Sequence, residues 1–151
     1  MGVLPTKGID EQAFTLVEVI AVLLIIGIIA AVAVSRVLST QQDLVAQTDV
    51  IKSHLRFAQL KALNDDTAPW GIAFSGSSYT LQCSGAAAAI NLPAESSPTR
   101  SLPSGTTITS PSTVSFDLWG SPGAADISIT LSAGGETSTI TLAGNTGFIT
   151  P

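Results

Sequence analysis

From Val19 to Val34 this chain runs through sixteen apolar residues without a polar interruption, and no other feature limits its fold as much. The stretch from Phe14 to Val34 is 21 residues. At 1.5 Å per residue such a helix is roughly 31 Å long, close to the hydrocarbon thickness of a bilayer. Near its start stands Glu18, the fifth residue counted from Phe14. A carboxylate at a bilayer centre costs roughly 2.5–3.5 kcal/mol on insertion scales, so an acid in such a run has either a task or an escape route. The polar-to-apolar change falls at Ala13, as though the chain should begin at Phe14.

Ala13-Phe14-Thr15-Leu16-Val17-Glu18 ahead of that run resembles the type III signal of type IV pilins and type II secretion pseudopilins. The resemblance implies cleavage between Ala13 and Phe14 by a prepilin peptidase, N-methylation of Phe14, and an assembly role for Glu18. Ala13 stands where the family nearly always has glycine, Lys7 is offset by Asp10 and Glu11, and Ser35 stands where many relatives carry a helix proline. Two plainer readings compete. Ala31-Val32-Ala33 has the small-x-small form of a signal peptidase site, though a glutamate opening the core and a weakly basic leader are atypical of a secretory signal. In a plain signal anchor, Glu18 would merely snorkel to the headgroups.

The resulting division is a leader at 1–13, a transmembrane half-helix at 14–34, a soluble amphipathic half-helix at 35–64 and a β-rich domain at 67–151. The formal net charge of −5 becomes −4 without the leader, because Lys7, Asp10 and Glu11 together carry −1. No basic surface of the kind nucleic acid requires is evident, since Arg100 is the only basic residue beyond Lys61. Cys83 is the sole cysteine, so no intrachain disulfide forms, and a buried structural thiol is its expected role.

Neither proline nor glycine occurs between Ser35 and Asn64, while Leu44, Thr48, Ile51, Leu55, Ala58 and Ala62 recur at spacings of four and three. That pattern predicts one buried helical face, with Lys52, Arg56 and Lys61 on a solvated one. Asn64-Asp65-Asp66 and Pro69 should end a helix roughly 75 Å long. Trp70–Phe74 and Ser78–Cys83 read as a hairpin, as do Asp126–Ser132 and Thr137–Ala143. Further strands are expected at Thr106–Thr109, Val114–Leu118 and Phe148–Thr150, and a strand candidate lies around Ala88–Leu92 inside the long loop Ser84–Gly105. Apolar on one face and rich in hydroxyls on the other, these strands should pack on the helix as antiparallel sheet. The fold class is α+β, a long N-terminal helix on a C-terminal antiparallel β-sheet domain.

Ile51–Gln59, Val114–Gly120 and the pair Ile140–Leu142 with Thr146–Ile149 are similar to segments of H-type minor pseudopilins and their type IV pilus relatives, the GspH/FimT group. The match implies a pilin-like fold, an inner-membrane protein of one span with a periplasmic C-terminal domain, and a filament as its destination. It also implies the partners: other pilin or pseudopilin subunits, the prepilin peptidase, the inner-membrane assembly platform and membrane lipid, with no nucleic acid expected. In a filament the Phe14 amine of a neighbour would neutralise Glu18, which removes the cost of a lone buried carboxylate.

An enzyme is not expected. His54 is the only histidine and sits mid-helix, where a surface or packing role fits better than catalysis. One histidine and one cysteine assemble no convincing triad. Asp65-Asp66 lacks the alternating oxygen ligands of a calcium loop and reads as a helix terminator. Gly134-Gly135 and Gly120-x-x-Gly123 read as turn glycines without the strand-turn-helix setting of a phosphate loop. No catalytic residue, cofactor or metal is assigned. Three functions follow: minor pseudopilin of a type II secretion system, minor pilin of a type IV pilus, or a membrane-anchored β-domain binding protein that never polymerises.

The boundary reading gives the first prediction. N-terminal sequencing or intact mass of the membrane form should place the first residue at Phe14; a start at Val34 would establish the signal-peptidase reading instead.

Overall fold

The computed structural model describes residues 15–110 and 113–150, with the backbone alone for residues 33–40. Ala13 and Phe14, and with them the expected cleavage site and leader, lie outside the described residues. The chain divides into two compact units between Arg36 and Val37. One helix, α1 (Leu16–Asn64, 49 residues), supplies the apolar part of the first unit and opens the second.

α1 starts on a cap that the sequence carries in plain view. Thr15 Oγ1 accepts from the Glu18 backbone N–H at 3.2 Å, and Thr15 with Glu18 three residues on has the T-x-x-E form of a capping box. Glu18 also places a carboxylate in the first turn, where the helix dipole favours it. At the far end α1 stops at Asn64, whose side chain donates back to the Leu60 carbonyl at 2.7 Å. Asp65 then organises the exit. Its carboxylate accepts from the Thr67 N–H and hydroxyl, and from the Trp70 indole N–H at 2.8 Å.

Nine strands follow: β1 (Trp70–Ser75), β2 (Ser78–Cys83), β3 (Ala86–Ala87), β4 (Thr99–Ser101), β5 (Thr106–Thr109), β6 (Thr113–Phe116), β7 (Ile127–Ala133), β8 (Glu136–Leu142) and β9 (Ile149–Thr150). They form two antiparallel sheets rather than one. The first has the order β3-β2-β1-β6, with β4 also pairing β2; the second has the order β5-β7-β8-β9. The two expected hairpins are both present, with Ile72 opposite Leu81 in one and Ile129 opposite Ile140 in the other. Gly134 and Gly135 close the second in left-handed conformations (φ 59° and 88°) that favour glycine.

Several local expectations need correction. No strand forms at Ala88–Leu92; the pairing partners of β2 are β3 just before it and β4 well after it, while Ala88 and Leu92 are buried from irregular backbone. The β6 strand ends at Phe116 rather than Leu118, because Asp117 Oδ1 instead accepts from the Trp119 and Ser121 N–H groups and turns the chain. Asp126 stays outside β7 and accepts from the Gly144 N–H at 2.7 Å. Cys83 is only partly buried, at the end of β2 and against the edge of the core.

The helical stripe is buried throughout: Leu44, Thr48, Ile51, Leu55, Ala58 and Ala62 are each at most 4% exposed. It joins Ile72, Leu81, Val114 and Phe116 of the first sheet and Ile129, Leu131, Ile140 and Leu142 of the second in one core. Ala58 and Ala62 stand beside the larger Ile51 and Leu55, a mix of sizes that lets facing layers interdigitate. Lys52 is not on an open face as expected; its side chain is 14% exposed and pairs with Asp49 at 3.1 Å. Lys61 lies over the Phe57 and Trp70 rings at 5.5 and 5.9 Å. Arg56 is the exposed member of the three.

One side chain ties two loops to the helix. Gln59 Nε2 donates to the Gly120 carbonyl at 2.8 Å and to the Gly147 carbonyl at 3.2 Å. Gly147 has φ 64°, and a Cβ there would meet the Gly120 carbonyl oxygen and Gln59 Nε2. Both constraints demand glycine.

Two stability predictions follow. Leu55→Asp puts an unpaired charge at a fully buried position and should cost several kcal/mol in thermal unfolding followed by circular dichroism; Arg56→Asp, one residue along and exposed, should shift the melt little. An Asp at 55 that melts like the parent would contradict the helix-on-sheet core. Gly147→Ala should cost more than the ~1 kcal/mol of an average substitution, because it combines left-handed strain with a steric clash at the clamp. Differential scanning calorimetry of that variant would show whether Gln59 yields without loss.

Candidate assembly surfaces

Within the first unit, every described side chain from Thr15 to Val32 is exposed. Leu16 and Val17 are each 74% exposed, and ten further Val, Leu and Ile side chains through Val32 are exposed with them. Complete burial of such a side chain is worth about 1.5–3 kcal/mol, so covering a dozen that start about half exposed would recover on the order of 10–20 kcal/mol. A lone helix in water forgoes all of it. The segment therefore needs either lipid or other apolar helices around it. Among the described residues no helix is long and apolar enough to cross a membrane. The expected span 14–34 includes Phe14 and the side chains of Ala33 and Val34, which lie outside the described residues.

Glu18 is the one ionisable group in this apolar surface from Thr15 to Val32. The capping contact of Glu18 uses its backbone N–H and not its carboxylate. The structure brings Glu18 together with Thr15, and the sequence reading had passed over this local reason for an acid at the position. The signal was there: a threonine three residues before a glutamate at the start of an apolar helix.

The second unit has an apolar surface of its own. Trp119 is 78% exposed and Phe148 is 66% exposed, and both sit directly beside the glycines gripped by Gln59. Phe148 lines a groove of about 460 Å³ with Arg56, Gln59 and Leu60, while Leu63 reaches the backbone at Gly120. Leu118 extends the apolar surface toward a smaller, acidic concavity of about 240 Å³ bordered by Asp65, Asp66 and Asp117. Exposed apolar residues gathered in one patch mark an interaction surface more than isolated ones do. Individual strand patterns did not reveal this patch, because it is assembled by the clamp from residues on α1 and two loops.

The other residues singled out in the sequence are structural in their surroundings. His54 is buried, with Nδ1 2.8 Å from the Tyr79 hydroxyl and Nε2 3.0 Å from the Pro93 carbonyl. Burial is the main influence holding its pKa below the ordinary 6.5. Burial likewise raises the Tyr79 pKa. The bonds from Thr67 and Trp70 hold the Asp65 carboxyl below its usual range, as befits a hydrogen-bonded turn residue. Among the described residues, no group of three or more His, Cys, Asp or Glu side chains is placed to hold a metal ion. His54 and Cys83 are not brought together into a nucleophile–base pair by any contact described, and His54 already spends both ring nitrogens.

Comparison with known proteins bears on the first of these surfaces. Residues 10–34 match the prokaryotic N-terminal methylation motif, a stretch that takes in Ala13, Phe14, Glu18 and the apolar run. No curated protein and no solved structure matches the chain. The chain thus carries a prepilin-type signal on an α+β fold of pilin-like layout, and that signal suggests a structural subunit.

Proposed function

We propose that this protein is a minor pseudopilin of a type II secretion pseudopilus, cleaved between Ala13 and Phe14, methylated at Phe14, and assembled through its N-terminal helix. The observation carrying the reading is the coincidence at one end of α1 of a methylation motif over residues 10–34, an uncovered apolar surface over 16–32 and a single carboxylate, Glu18, in the first turn. In the inner membrane, acyl chains cover that surface, and the β-rich domain faces the periplasm. In the filament, helices of neighbouring subunits replace the lipid. There the Phe14 amine of a neighbour supplies the counter-charge that Glu18 lacks within its own helix surface, and the pairing fixes the axial register between subunits.

A type IV pilus minor pilin shares this chemistry at the helix. The DNA-uptake form of that alternative is disfavoured by where the cations go. Arg100 pairs with Glu95 and donates to Gln47 at 3.2 Å, Lys52 pairs with Asp49, and Lys61 lies over two rings. Among the described residues Arg56 is the exposed cation left over, and a single arginine makes no basic stripe for a phosphate backbone. The exposed patch around Trp119 and Phe148 gives the soluble domain a surface suited to protein contacts instead.

Glu18 offers the test. Glu18→Val should leave cleavage and membrane insertion intact while incorporation into sheared filaments falls severely. Glu18→Gln preserves the capping geometry and removes only the charge; it should fail in the same assay if the charge is what assembly needs. Normal filament entry of both variants would remove Glu18 from the mechanism, and an uncleaved chain in cells with active prepilin peptidase would remove the prepilin reading.

A further inference from the structure

The turn that carries Trp119 is braced before anything docks on it. Asp117 Oδ1 accepts from the Trp119 and Ser121 N–H groups, the Asp117 N–H donates to the Ser121 carbonyl at 3.0 Å, and the Gly120 N–H donates to the Asp117 carbonyl at 2.9 Å. Gln59 then holds the Gly120 carbonyl against α1. Leu118 and Trp119 still stand out in solvent. An indole held outward on a closed turn loses little freedom when it is covered, and tryptophan is a common anchor at interfaces. Phe148 is fixed in a similar way: its N–H donates to Thr146 Oγ1 and its carbonyl accepts from the Ala143 N–H. It walls a groove of about 460 Å³ with Arg56 and Leu60 of α1. Clefts of about 300–1,000 Å³ take molecules larger than one side chain, so this one has room for an indole.

Tip and groove carry opposite charge. Beside the groove stands Arg56, the exposed cation among the described residues. Beside the tip stand Asp66 and Asp117, both exposed, around the concavity that Leu118 also lines. The two features complement each other, yet a copy pinned at Gly120 by Gln59 cannot swing its own tip into its own groove. Two copies with α1 parallel and level would set Arg56 against Arg56 and acid against acid. Displaced along the helix by the ten residues from Arg56 to Asp66, roughly 15 Å, the acids of one copy come level with the arginine of the other.

The geometry points to a second copy of this chain as the occupant of the groove. Leu118 and Trp119 of one copy dock against Leu60 and Phe148 of another displaced along α1, and Asp66 of the first faces Arg56 of the second. The contact is heterologous, so the donor's own groove stays open to a third copy. Covering one indole removes about 150–250 Å² from water, well short of the roughly 1,200 Å² of a stable interface. The contact therefore forms where copies are already concentrated, as on a membrane. It is built within the second unit and stands whether or not the chain enters a filament.

The full-length chain in phosphatidylcholine vesicles, treated with a short bismaleimide linker, reads this contact. In a Cys83→Ser background, Leu118→Cys copies mixed with differently tagged Leu60→Cys copies should give a mixed crosslinked dimer. The yield should exceed that of a control mixture in which Ser128→Cys, exposed on β7, replaces Leu118→Cys. Adding Trp119→Ala to the tip copy should lower the yield about tenfold or more. Arg56→Glu on the groove copy and Asp66→Lys on the tip copy should each lower it, and the two together should restore it. A yield no greater than that of the Ser128→Cys mixture, indifference to Trp119→Ala, or charge reversals that fail to rescue each other would each overturn the docking. Should Trp119→Ala fail to fold, the charge reversals decide: rescue supports the contact and its absence refutes it.

Discussion

Burial of one stripe of α1 is the contact on which the β-rich unit depends. Ile51, Leu55 and Ala58 are wholly inaccessible, and strands from both sheets join them in a single core. The two sheets pair no strands with each other; side-chain packing through this core joins them, with a backbone bond from the Ile108 N–H of β5 to the Gly76 carbonyl of the β1–β2 turn. Their shortest strands have two residues and gain little from pairing alone. Remove the helix and each sheet keeps its ladder but loses the surface against which its apolar face is buried. The stripe is therefore the fold's common reference, and the loops take their positions from it.

The polar contacts on α1 refine what the apolar stripe begins. Gln59 fixes the Gly120 and Gly147 loops, His54 meets the Pro93 carbonyl of the segment 88–98, and Gln47 accepts from Arg100 of β4, which pairs with Glu95 of that segment. Each partner is a backbone carbonyl or a residue committed elsewhere, so these contacts specify position more than they add stability. The clamp also has a consequence at the surface. The exposed Trp119 and Phe148 are the chain neighbours of the two glycines held against the helix, and Phe148 lines one groove with Leu60. The patch and the clamp are one construction.

Where the sequence was legible, the reason was periodicity. A spacing of three and four marked all six buried stripe positions, and alternation marked both long hairpins. Legibility failed where a single polar side chain outbids a local pattern. Asp117 and Asp126 look like strand residues by alternation, yet each carboxylate accepts backbone N–H bonds that pull it out of the ladder. Ala88–Leu92 contributes apolar residues without strand geometry, because the Ala88 N–H is spent on the Leu81 carbonyl of β2 and the Leu92 N–H on the Ser97 carbonyl of its own loop. Lys52 reads as solvated by helical phase alone, which shows neither its pairing with Asp49 nor the low exposure of its side chain. The methylation motif was readable from a boundary, an acid and an apolar run, whereas the Gln59 clamp joins residues more than sixty positions apart and has no local signature.

The two ends of α1 solve opposite electrostatic problems. At its N-terminal end, a carboxylate sits in an apolar surface with no cation on the same stretch of helix, so its charge has to be answered from outside the helix surface it occupies. Across the second unit, Lys52, Arg100 and Lys61 are matched within the fold, by Asp49, by Glu95 and Gln47, and by the Phe57 and Trp70 rings, while Arg56 is exposed. Strand faces toward solvent carry hydroxyls that bond across the ladder, as between Thr107 and Ser132 or Thr80 and Thr99. Such a surface offers little long-range field to steer a charged partner. In the proposed filament, recognition would rest on short-range contacts: apolar packing along α1, a charge pair at Glu18, and the aromatic tips beside the Gln59 clamp. Contacts of that kind discriminate by shape and register, which is what a subunit fitted among near-identical helices would require.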